Sequence, residues 1–68
     1  MRLRIEIDRE SDGRWIADIT EMPGVMAYGD SRLDAIARVQ ALALRVLADR
    51  LEHGEAGSGI QEVHFEAA

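Results

Sequence analysis

Between Tyr28 and Arg32 the apolar residues change their period from two to about 3.6, and they do so only once. That single switch divides the chain into a sheet half and a helix half. Leu3, Ile5 and Ile7 alternate with Arg2, Arg4, Glu6 and Asp8, which describes a strand with one apolar and one wet face. Asp12 and Gly13 supply tight-turn chemistry, after which Trp15, Ala17 and Ile19 share one face of a second strand while Asp18 and Thr20 take the other. Pro23 presets the backbone for the second position of a type II turn, and Gly24 accepts the positive φ required at the third. Val25 to Tyr28 then read as a short third strand ended by Gly29, and Asp30 and Ser31 offer helix caps, with Ser31 and Asp34 spaced as a capping box.

The helical pattern is predicted to run from Arg32 to about His53, with Gly54 as a left-handed stop. Leu33, Ile36, Ala37, Ala43, Leu44, Leu47 and Leu51 form one apolar face, the expected cover for the sheet. A second stripe, Ala35, Val39, Leu42 and Val46, lies round the cylinder from the first and leaves only a narrow polar seam. One sheet hardly covers both. Either the last strand or the 54–59 loop folds over the second stripe, or Ala35, Val39, Leu42 and Val46 are the contact of a homo-oligomer, a dimer or tetramer. The latter is expected, because a chain of 68 residues buries only roughly 60% of its unfolded surface and this one has no cysteine to add a covalent staple.

After the small-residue run Gly54–Gly59, Val63 and Phe65 alternate with Glu62, His64 and Glu66 as a final short strand. The expected fold is a single α+β domain over residues 1–68 in the order β-β-β-α-β: a three-stranded antiparallel meander, one long helix on one face, and a short fourth strand. A right-handed crossover would lay that strand parallel to the first. The opening residues alternate where a signal peptide would be continuously apolar, and no run approaches membrane-spanning length, so a cytoplasmic protein without membrane contact is expected. The net charge of −5 opposes a phosphate-binding surface and suits a basic partner.

The stretch "DGRWIADITEMPGVMAYGDSRLDAIARVQALALRVL" resembles the N-terminal domain of HicB-type antitoxins. The positions that carry the resemblance are Gly13, Trp15, Ala17, Pro23, Gly24, Gly29, Asp30, Ser31 and Ala35, within a match over roughly residues 1–54. Val25, Ser31, Leu33 and Asp34 depart from it, standing where the family often has cysteine, threonine and two acidic residues. The resemblance implies a reduced ribonuclease H-like fold and a protein that neutralises a small basic RNA-cleaving HicA-type toxin by direct contact. Many such antitoxins continue into a DNA-binding domain; here none is expected, and neither is direct nucleic-acid binding. No residue is assigned to toxin contact by motif, and an orphan member without a toxin is the other form the resemblance allows.

Catalytic readings are weaker. Glu62, His64 and Glu66 have the i, i+2, i+4 spacing of ligands on one strand face, but a solvated terminal strand explains them. Asp8 and Asp18 lack a third carboxylate for a two-metal site, and His53 suits the negative end of a helix dipole. The expectation is a non-enzyme with no catalytic, cofactor or metal residues. A ribbon-helix-helix DNA-binding protein, with Arg2 and Arg4 reading the major groove, is the alternative; it requires a helix where Gly13, Pro23 and Gly24 stand.

Overall fold

The computed structural model describes residues 1–54 and 60–67, and in it the chain is α+β, one long helix with four strands in a mixed sheet. The elements are β1 (Arg2–Arg9), β2 (Trp15–Ile19), β3 (Met26–Gly29), α1 (Arg32–Glu52) and β4 (His64–Ala67). Their order across the sheet is β3-β2-β1-β4. β2 runs antiparallel to both its neighbours, and β4 runs parallel to β1. The small-residue connection expected at 54–59 lies, beyond Gly54, outside the described residues.

Local chemistry accounts for each corner. Glu10 N–H donates to the Arg14 carbonyl at 2.7 Å and Gly13 N–H to the Glu10 carbonyl at 3.0 Å, closing a three-residue hairpin loop with Gly13 at φ +92°. Val25 N–H donates to the Met22 carbonyl at 3.0 Å across Pro23 and Gly24, the latter at φ +87°, the geometry of a type II turn. Because Val25 closes that turn, β3 begins one residue later than its apolar pattern implies. Ser31 is the N-cap: its Oγ accepts from Asp34 N–H at 3.0 Å, and the Asp34 carboxylate accepts in return from Asp30 N–H at 3.1 Å. At the other end His53 caps α1 and Gly54 turns out of it at φ +68°.

The core is built from Leu3 and Ile5 of β1, Ala17 and Ile19 of β2, Met22 and Val25 of the turn, and Ala35, Val39, Ala43 and Leu47 of α1. This redraws the two expected helix stripes: Ala43 and Leu47 of the first line the core as expected, joined there by Ala35 and Val39 of the second. Ala35 and Val39, offered as oligomer contacts, are wholly buried against the chain's own sheet, and Leu42 and Val46 are half-buried against the same core. Leu33, Leu44 and Leu51, expected to cover the sheet, are 75%, 48% and 50% exposed. The reason is steric. A Cβ on Gly29 would stand 2.8 Å from the Ala35 Cα, so helix and strand backbones touch here, and only a small residue such as Ala35 fits at the crossing. A row of leucines would hold the helix off the sheet.

Candidate interaction surfaces

With α1 covering one face, chiefly over β3 and β2, the other face of the sheet is open. Strand register orders its side chains into rows. Tyr28, Ile16 and Asp8 lie across one row, and Met26, Asp18 and Glu6 across the next. Further along, Arg4 stands beside Glu66 and Arg2 beside His64.

The two ends of this face differ in how their charges are balanced. At the β4 end Arg2 pairs with Glu66 at 3.1 Å, and Arg4 Nε pairs with Glu21 at 3.0 Å. Glu21 also accepts from Arg4 N–H at 2.8 Å, and that backbone donor, ahead of the guanidinium, holds its carboxyl below the ordinary range. At the β3 end Glu6 faces Asp18 directly, and among the described residues neither these two nor Asp8 has an ion-pair partner. Like charges directly opposite on neighbouring strands destabilise a sheet. Beside them Met26 and Tyr28 are 47% and 44% exposed, so acidic and apolar groups share one surface. The Arg14 guanidinium lies 4.5 Å from the Tyr28 ring centroid and its Nε bonds Asp12 Oδ2 at 2.8 Å. Arg14's backbone and side-chain donors lower the Asp12 pKa, and Asp12 raises that of Arg14.

Round the β3 edge the surface turns into a groove of about 440 Å³ between β3 and the flank of α1, lined by Ala27, Tyr28, Arg38, Ala41, Leu42 and Arg45. Arg38 Nε reaches both oxygens of Asp34 at 3.1 Å. The Asp34 carboxyl is held low first by Asp30 N–H and then by Arg38. Arg45 makes no ion pair among the described residues.

The residues that carry the family resemblance are structural in position. Gly13, Pro23 and Gly24 make turns, Gly29 admits the helix, and Asp30 and Ser31 start it. Trp15 is half-buried, with the Arg9 guanidinium 5.8 Å from its ring centroid. Glu62 lies outside β4, and His64 and Glu66 approach at 3.7 Å; among the described residues no three such side chains are grouped to hold a metal ion. Asp8 pairs in register with Ile16 and not with Asp18. His53 Nδ1 lies 2.8 Å from the Asp49 carbonyl. The groups overlooked in the sequence are the Glu6–Asp18 pair, Tyr28, Arg38 and Arg45. The first was latent in the alternation of β1 and β2, but only the register of the hairpin makes the two acids neighbours.

No helix among the described residues is long and apolar enough to cross a membrane. No family model, curated protein or solved structure matches the chain.

Proposed function

We propose that the chain is a HicB-like antitoxin, or a binding protein derived from one, that neutralises a small basic RNA-cleaving HicA-type toxin in the cytoplasm by protein contact, without catalysis or a cofactor. The observation that carries the reading is the open sheet face, where Glu6 opposes Asp18 beside exposed Met26 and Tyr28. Two carboxylates kept opposite each other with no cation of their own are relieved when a basic surface docks, and the flanking apolar groups supply buried area at the same contact. The reading also draws on the α+β architecture, one long helix with four strands in a mixed sheet.

Co-expression with a small basic RNA-cleaving toxin of the HicA type tests the proposal. A stable complex, restored growth and loss of RNA cleavage are expected, and Glu6→Lys with Asp18→Lys should abolish all three while leaving the circular dichroism intact. Separate elution with persisting toxicity refutes it. A homo-oligomer belongs to the same reading, and its proposed contact is the exposed row Leu33, Leu44 and Leu51, which align on the outward side of α1. The ribbon-helix-helix alternative draws no support from a chain whose described residues contain one helix after three strands.

A further inference from the structure

We infer that the β3 edge and the adjoining flank of α1 form a docking groove for an extended acidic peptide segment, which adds to the sheet beside β3. Three features coincide there. The first is hydrogen bonding: β3 is the terminal strand of the sheet, and Ile19 N–H donates to the Val25 carbonyl at 3.0 Å. Antiparallel pairs alternate between bonded and non-bonded residues, so Ala27 and Gly29 share the bonded phase of Val25. The N–H and C=O groups of Met26 and Tyr28 therefore face the other way, along an edge that no strand among the described residues occupies, and these are the groups an added strand pairs with.

The second feature is the floor. Side chains of an added strand alternate, and those on the helix side would descend onto Ala27, Ala41 and Leu42, which are small or apolar. The third is charge. Among the described residues the groove's ionisable walls besides Tyr28 are Arg45 and Arg38, the latter with its Nε on Asp34, on a chain whose net charge is −5. The two arginines are seven residues apart on α1, about 10.5 Å along its axis, and flank the gap above Ala41. Carboxylates on the inward side of the docked segment would meet Arg45 and, beside its Asp34 contact, the remaining donors of Arg38, guanidiniums that favour planar acceptors.

The same features reject two other occupants. The β3 edge of a second copy would present only Ala27 inward and would crowd the arginines of both copies together. A single-stranded nucleic acid would use the arginines and Tyr28 but leave the backbone row of Met26 and Tyr28 unpaired, against the repulsion of the chain's net charge. The groove adjoins at Tyr28 the open face proposed for the basic partner, but its helix flank and arginines lie on the other side of the sheet, and the inference does not depend on that proposal.

The experiment uses a fluorescent octapeptide of alternating Thr and Glu, its Thr–Lys counterpart, the Thr–Glu peptide N-methylated at alternate amides, and a uridine decamer. Binding is followed by anisotropy, and the Met26 and Tyr28 amides by hydrogen exchange. The Thr–Glu peptide is expected to bind and to slow exchange at both amides. Arg45→Glu should weaken it at least tenfold, with Arg38→Gln giving a smaller loss and Arg9→Glu, on the opposite edge of the hairpin, none. N-methylation should weaken binding comparably, which a purely electrostatic contact would not do. Equal binding of the Thr–Lys peptide, indifference to N-methylation, absence of binding by the Thr–Glu peptide, or preference for the uridine decamer each overturns the inference. Circular dichroism of the Arg45→Glu protein verifies its fold, and if it is not folded the Arg38→Gln and N-methyl results decide alone.

Discussion

Gly24 and Gly29 flank the same short apolar run in the sequence, yet the structure constrains them for different reasons. Gly24 needs its positive φ, and a Cβ there would touch nothing within 4 Å. Gly24→Ala is therefore expected to cost about 1–2 kcal/mol through backbone strain alone, with the chain still folded. At Gly29 the obstacle is backbone of the helix, which cannot swing aside as a side chain would. Gly29→Ala is expected to cost at least about 3 kcal/mol and to leave little folded protein, a difference that urea denaturation of the two variants measures. Turn chemistry at Pro23 and Gly24 was legible because it depends on neighbours in sequence. The need for Gly29 was legible only as punctuation, since it depends on Ala35 arriving from the helix. Local acceptors also set the acid limit. Asp12, Glu21 and Asp34 all have pKa values below their ordinary 3.8, 4.5 and 3.8 because backbone N–H groups and arginines favour their ionised forms. A depressed carboxyl stabilises the fold above its unfolded pKa and loses that stabilisation as pH falls through the folded one. Melting temperature should hold steady from neutral pH down to about 5 and fall below about 4.5, and Glu21→Gln together with Asp34→Asn should flatten the descent. An acid limb unchanged by the double substitution would place its origin elsewhere.

At the scale of the helix, periodicity located α1 and its caps but could not choose the buried face, because two apolar stripes compete and hydropathy favours the one richer in leucine. Close packing drew the buried row from both. Ala35, Val39, Ala43 and Leu47 form a row with alanines where the helix must approach the sheet, and the leucines at 33, 44 and 51 are left outside. This gives opposite expectations for two glutamate substitutions. Val39 is wholly buried, and an unpaired charge in its place costs about 3–5 kcal/mol, as much as the roughly 3–5 kcal/mol that a core of this size supplies. Val39→Glu should be unfolded at room temperature. Leu44→Glu should keep its circular dichroism and, if the outward stripe joins two copies, turn a dimer into a monomer by light scattering and lower its melting temperature in a concentration-dependent way. A folded Val39→Glu protein would contradict the assignment of the core. A wild-type monomer at micromolar concentration would leave the leucine stripe without a second copy, and the oligomer proposal would fall.

Across the whole molecule the charges are sorted, although the chain carries only a modest excess of acid. Arg2 and Arg4 are tied up at the β4 end of the open face and Arg38 and Arg45 line the β3 groove, while among the described residues Glu6, Asp8 and Asp18 have no ion-pair partner. Net charge alone suggested a basic partner, and strand register sets Glu6 opposite Asp18 on the face proposed for it. If the acidic pair is kept for a partner at the expense of stability, removing one member should separate the two properties. Asp18→Asn retains the side chain's shape and eliminates the repulsion with Glu6, so its melting temperature should rise by about 1–5 °C. The same substitution should slow association with the basic partner, because opposite surface charges accelerate encounter. The wild-type association rate should fall as salt rises from 50 to 500 mM, where screening shortens the reach of exposed charges from about 14 to 4 Å, and the variant's rate should fall less. Stopped-flow association across that salt series, beside melts of both proteins, gives the comparison. A variant that is both less stable and unaltered in association would mean that Asp18 serves the sheet and that the partner docks elsewhere.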